Sequence, residues 1–147
     1  MSIKEHYDAA KALLPSTLNV YMWNVAAKKN PDGTIEPIKY PYVCLWGDLG
    51  DESSGGPDGD SLQDVPDVLS LRVRATYAAT NGDSLLILAR NVRAALNRKI
   101  PIVAGWAPGP LRQSSLTDVQ TDESVTLTSG THPVFAVDEF ALVSSKL

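Results

Sequence analysis

Cysteine occurs once in the 147 residues, as Cys44, and histidine twice, as His6 and His132. One thiol excludes a disulfide framework within the chain and a thiolate zinc site, and it suits a reducing compartment. Two histidines, neither in a nucleophile motif, supply little for a triad, which needs a nucleophile, a base and an orienter that converge. Gly-x-Ser-x-Gly, a phosphate-binding glycine loop and His-Glu-x-x-His are all missing. No run approaches the roughly 18 apolar residues of a membrane span, and Met1 to His6 lacks the apolar centre of a secretory signal. Positive charge is short: 13 Lys and Arg stand against 17 Asp and Glu, a net charge of −4. That balance argues against a sequence-independent grip on DNA phosphates. Together these absences predict a soluble, intracellularly made protein with no catalysis, no cofactor and no membrane partner.

Apolar residues make up 44% of the chain and charged residues 20%, enough to build a packed core in one domain spanning 1–147. The organising stretch is Val68 to Asn97. From Val68 to Ala78, Leu69, Leu71, Val73, Ala75 and Tyr77 share one face, while Ser70, Arg72, Arg74 and Thr76 share the other. Period two is the signature of a strand buried on one side. After the breaker Thr80-Asn81-Gly82-Asp83 the period becomes helical, with Leu85, Leu88, Ala89, Val92, Ala95 and Leu96 in one stripe. Asp83 or Ser84 is the expected cap, and Arg93, Arg98 and Lys99 suit the negative end of the dipole. Leu86 and Ile87 fall outside the stripe.

Ser2 to Leu14 reads as a first helix, with Ile3, Tyr7, Ala10 and Leu14 inward and Pro15 ending it. His6, beside that stripe, reads as structural or solvated. Thr17 to Trp23 is a strand with large side chains on both faces. Asn24 to Tyr40 is a long polar connection with a turn at Asn30-Pro31-Asp32-Gly33, a length that marks a functional loop or recognition arm. Pro41 to Asp48 is almost continuously apolar and belongs mid-sheet, with Cys44 a small core residue. Gly47 to Asp67 is acidic and glycine-rich, and no Lys or Arg occurs between Lys39 and Arg72. Asp51, Glu52, Asp58, Asp60 and Asp64 lie there. Asp58-Gly59-Asp60 does not fill the calcium-loop pattern, so the reading is a solvated or partner-facing acidic loop without a metal. Trp106-Ala107-Pro108-Gly109-Pro110 reads as a rigid exposed turn. Leu111 to Leu116, Ser124 to Thr128 and Val134 to Ser144 read as strands, with His132 in a turn and a bulge or bend at Asp138-Glu139.

Leu13-Leu14-Pro15, Tyr21-Met22-Trp23, Tyr40-Pro41-Tyr42-Val43, and Leu71-Arg72-Val73-Arg74-Ala75-Thr76 running into Leu85-Leu88-Ala89-Val92-Arg93-Ala95-Leu96 together carry a resemblance. Over its first two-thirds the chain resembles the tail terminator (tail completion) proteins of long-tailed bacteriophages. The resemblance implies an α+β subunit: a mostly antiparallel β-sheet with two main helices packed on one face. It implies a homohexameric ring at the head–tail junction of the virion, made in the host cytoplasm. The ring would cap the finished tail tube, meet the head connector or stopper, and let DNA pass without specific binding. The partners are thus the protein itself, the tail tube protein and the connector. Trp23, Trp46 and Trp106 are candidate subunit or tube contacts, as are Leu86 and Ile87. Arg72 and Arg74 would pair with acidic residues of a neighbouring subunit. Asp51, Glu52, Asp58, Asp60 and Asp64 would line the lumen or face a partner. A connector or stopper, a tube-like subunit, and a small cation- or partner-binding module are the alternative readings.

Overall fold

A computed structural model describes residues 2–25, 29–53 and 67–147. The elements run α1 (Ser2–Ala12), β1 (Asn19–Met22), β2 (Tyr42–Gly47), β3 (Asp51–Ser53), β4 (Val68–Ala79) and α2 (Gly82–Leu96). After these come β5 (Trp106–Pro108), β6 (Arg112–Ser115), β7 (Gln120–Thr121) and β8 (Val134–Lys146). Strand outweighs helix and pairing is mostly antiparallel, so the fold is α+β.

Two long strands make the spine. β4 and β8 pair one to one from Val68↔Ser145 to Ala79↔Val134. On the other edge of β4 lie β2, against 73–78, and β3, against 68–70. On the other edge of β8 lie β7, β6 and β5 in succession. β1 completes the sheet beside β2 and is parallel to it. Parallel neighbours need a crossover, so the chain after β1 must travel back along the sheet before β2 begins. Part of the length of the 24–40 connection is therefore geometric. Its tip is an Asx turn in which the Asp32 carboxylate accepts from the Thr34 N–H at 3.0 Å, and Lys29 bridges Ile35.

Both helices cover one sheet face. Leu69, Leu71, Val73, Ala75 and Tyr77 of β4 are buried there, with Val43 and Leu45 of β2 and Phe140 and Leu142 of β8. α1 contributes Tyr7 and Ala10, followed by Leu14 just beyond its end; α2 contributes Leu85, Leu88, Val92 and Leu96. This is the stripe that the two periodicities marked. At the end of β2 the backbones crowd: a Cβ on Gly47 would stand 2.2 Å from the Arg72 carbonyl oxygen and 2.3 Å from Tyr7 Oη. The absence of a side chain lets Tyr7 donate to the Asp48 carbonyl at 2.7 Å, tying α1 to the sheet.

Five local expectations are corrected. The acidic stretch 47–67, expected as a loop, carries β3 at Asp51–Ser53, whose backbone pairs with the free end of β4. Asn81, not Asp83 or Ser84, caps α2; its extended backbone lets Oδ1 accept from the Ser84 N–H at 2.9 Å. Trp106 to Pro108 is a strand on β8, not a free turn, and Trp106 is half-buried edge-on to His6 at 5.2 Å. Ser124 to Thr128 is not a strand. The Asp122 carboxylate accepts from the Ser124 N–H, the Leu127 N–H bonds the Thr131 carbonyl, and the outer edge of β8 is already taken by three strands. Asp138-Glu139 makes no bulge: the β8 register runs through it unbroken.

Candidate functional site

The candidate contact residues that fall among the described residues lie in five separate places. Trp46, Arg72 and Arg74 gather on the sheet face away from the helices. Trp46 Nε1 donates to Thr76 Oγ1 at 2.8 Å, and the Arg74 guanidinium lies 5.2 Å from the centre of the Trp46 ring. The acidic partner of the arginines is in the same chain: Glu139 stands 3.3 Å from Arg74 and 4.0 Å from Arg72. A neighbouring subunit is not needed to supply it. Trp23 lies elsewhere. Its φ of 70° turns the chain out of β1, its N–H bonds the Leu45 carbonyl at 2.7 Å, and its ring tilts onto Tyr7 at 4.6 Å. Half of it remains in solvent.

Leu86 and Ile87 stand side by side on the outer surface of α2, 62% and 53% exposed. Asp51 and Glu52, both exposed, occupy β3 at the far corner of the sheet. Asp58, Asp60 and Asp64 lie outside the described residues. Trp106 belongs to the packing around His6, whose Nε2 lies 2.7 Å from Ser144 Oγ. Cys44 is buried, and burial pushes its thiol up, away from the reactive thiolate. His132 is exposed, with Nδ1 2.6 Å from the Val125 carbonyl oxygen in a turn.

The most polar constellation was not legible as a site. Asp138 is 2% exposed on the helix side of β8. Its carboxylate accepts from Arg93 Nε and Nη2 at 2.6 and 2.8 Å, Tyr77 Oη at 2.7 Å and Gln113 Nε2 at 3.2 Å. Burial alone would push this carboxyl up. The hydrogen bonds from Arg93 and Tyr77, with the Arg93 charge, outweigh it and hold the group below the usual carboxylate value. Burial first, and the Asp138 carboxylate next, keep the Tyr77 hydroxyl protonated. The clue in the sequence was positional. Ala136, Asp138, Phe140 and Leu142 share a strand face, and a carboxylate among inward positions demands a cation.

Above this network, between α2 and the β6–β7 connection, opens a cleft of about 400 Å³. Leu86, Ala89, Val119 and Ala136 give it apolar walls, with Arg90 and Asp118 at its rim. Nothing in it pairs a nucleophile with a base. No family model matches the chain, and no curated protein matches it in sequence. Among the described residues no three His, Cys, Asp or Glu side chains group as a metal site. Among them, too, no helix is long and apolar enough to cross a membrane. What the arrangement offers is surface chemistry: a fully satisfied polar floor, apolar walls, and exposed leucine and isoleucine beside them.

Proposed function

We propose that this chain is a structural virion subunit of the tail-terminator kind. It closes into a ring at the head–tail junction, caps the tail tube and receives the head connector. The observation that carries the reading is the pair Leu86 and Ile87, held outward on a helix whose opposite side is locked into the core. Adjacent large apolar side chains on a rigid helix are what a protein contact uses. The stiff two-strand spine suits a ring component, because a closed ring repeats one contact and a small angular error per contact would leave it open. DNA passes through without specific binding; the net charge of −4 disfavours adhesion to phosphates.

The test is the mass of the purified protein by light scattering behind a sizing column, at several concentrations, alone and with isolated tail tubes. A discrete ring of about six subunits, alone or on tube ends, is the expected result for a closed cyclic assembly. Open-ended polymers would identify a tube-like subunit instead. A monomer indifferent to tubes at every concentration would overturn the reading.

A further inference from the structure

The contact that closes such a ring has to join two different patches, because one patch meeting itself gives a dimer and stops. The turn between β2 and β3 supplies one patch. Leu49 is 76% exposed at its tip. The Asp48 carboxylate accepts from the Gly50 and Arg72 N–H groups, both at 3.2 Å, and the Asp48 carbonyl accepts from buried Tyr7. Gly50 follows at φ +79°, where a Cβ would stand 2.7 Å from Leu69 Cδ1. The backbone under Leu49 is thus preorganised, and a side chain on a preorganised turn loses less freedom when it binds. Asp51 and Glu52 follow immediately on the two faces of β3, opposite Ser70 and Leu69, and neither carboxylate has a partner among the described residues.

The cleft beside α2 supplies the other patch. Its walls are apolar, and Arg90 at its rim is exposed and likewise without an acidic partner among the described residues. Asp118 on the opposite wall would repel a carboxylate, so an acidic visitor is steered to the α2 side. The two patches lie on opposite edges of the sheet. β3 flanks β4 on the β2 side, whereas the cleft reaches past β8 to residues 115–119. Along β4 they are separated by the distance from Ser70 to Tyr77, roughly 23 Å at the rise of a strand. A knob on one edge and a hole on the other, with opposite charges, is an arrangement that suits a head-to-tail ring.

We propose that Leu49 of one copy seats in the cleft of the next, with Asp51 or Glu52 meeting Arg90. The proposal rests on the ring reading and names its interface; the occupant of the cleft is a second copy of this chain. The variants Leu49→Asp, Arg90→Glu, and Asp51→Lys with Glu52→Lys test it, each read by light scattering alone and with tail tubes. All the changed side chains are exposed, so thermal unfolding of the subunit should stay close to that of the wild type. Each variant should raise the concentration needed for ring formation by at least about tenfold, the scale of a close interfacial charge pair. Mixing the Arg90→Glu protein with the Asp51→Lys, Glu52→Lys protein should restore rings, since each then meets a complementary partner. Wild-type rings that persist in Arg90→Glu and Leu49→Asp would overturn this interface and leave the ring reading standing. Wild-type protein that forms no ring with or without tubes would overturn both.

Discussion

Asp138 and Glu139 are consecutive residues of β8, and both hold arginines, yet they live in different media. Alternation sends Asp138 under α2 and Glu139 to the open face. The Asp138 side chain is 3% exposed, with Arg93, Tyr77 and Gln113 converging on it. The Glu139 side chain is 17% exposed and is shared between Arg74 and a more solvated Arg72. Water competes for both partners of the second cluster; in the first it reaches the outer side of Arg93 and hardly touches the Asp138 carboxylate. The same charge pair therefore does two jobs: the inner one fixes how α2 and β6 sit on β8, and the outer one decorates a surface.

Removing the inner carboxylate should have the largest effect. Asp138→Ala leaves a buried hydroxyl and a guanidinium without their acceptor. It should cost about 2–4 kcal/mol of unfolding free energy, the lower part of the buried-pair range because Arg93 still reaches water. Urea unfolding measures it, and a loss under about 1 kcal/mol would erase the contrast between the two faces. Tyr77→Phe removes one hydrogen bond to a charged acceptor and leaves three in place, and should cost about 1–2 kcal/mol in the same assay.

Acid should then dissolve the distinction. The folded-state pKa of Asp138 lies below its ordinary 3.8, so the unfolded chain takes up the proton first. The stabilisation is fully present above the unfolded value and is lost as pH falls through the folded one. The stability gap between wild type and Asp138→Asn should be constant near neutrality and shrink below about pH 4. A gap that widens in acid would contradict the charge assignment. The smallest effect belongs to the outer face. Glu139→Gln should cost only about 0.5–1 kcal/mol, and molar salt should remove most of it. The loss in Asp138→Ala should survive that salt.

The acidic knob and the apolar cleft differ in a similar way. Asp51 and Glu52 were legible along the chain as acidic residues in a glycine-rich stretch, whereas Leu49 emerged only from its exposure in the fold. Nothing in their order revealed that Tyr7 and Asp48 pin the turn beneath them. The cleft is built from α2, β8 and the β6–β7 connection, which lie far apart in sequence, and no window of the chain contains it.

What the sequence by itself determined is local and periodic. Alternation marked the buried face of β4, helical spacing marked the stripe of α2, and the apolar run of β2 marked a mid-strand. Those patterns work because a side chain's direction follows from its own backbone geometry. Leu86 and Ile87 were legible as outward for the same reason. The tertiary structure alone decided which strands became neighbours. The unbroken β4–β8 register set Asp138 opposite Ala75 and beneath Arg93 instead of in a bulge. Occupation of the β8 edge made Trp106 part of a strand and denied one to Ser124–Thr128. The side-by-side placing of Arg74 and Glu139 turned a pair expected between subunits into one within the chain. The physical reason is the same in each case: hydrogen-bonding edges and buried charges are satisfied once, by whichever partner the whole fold brings near, and that partner is not written beside them in the chain.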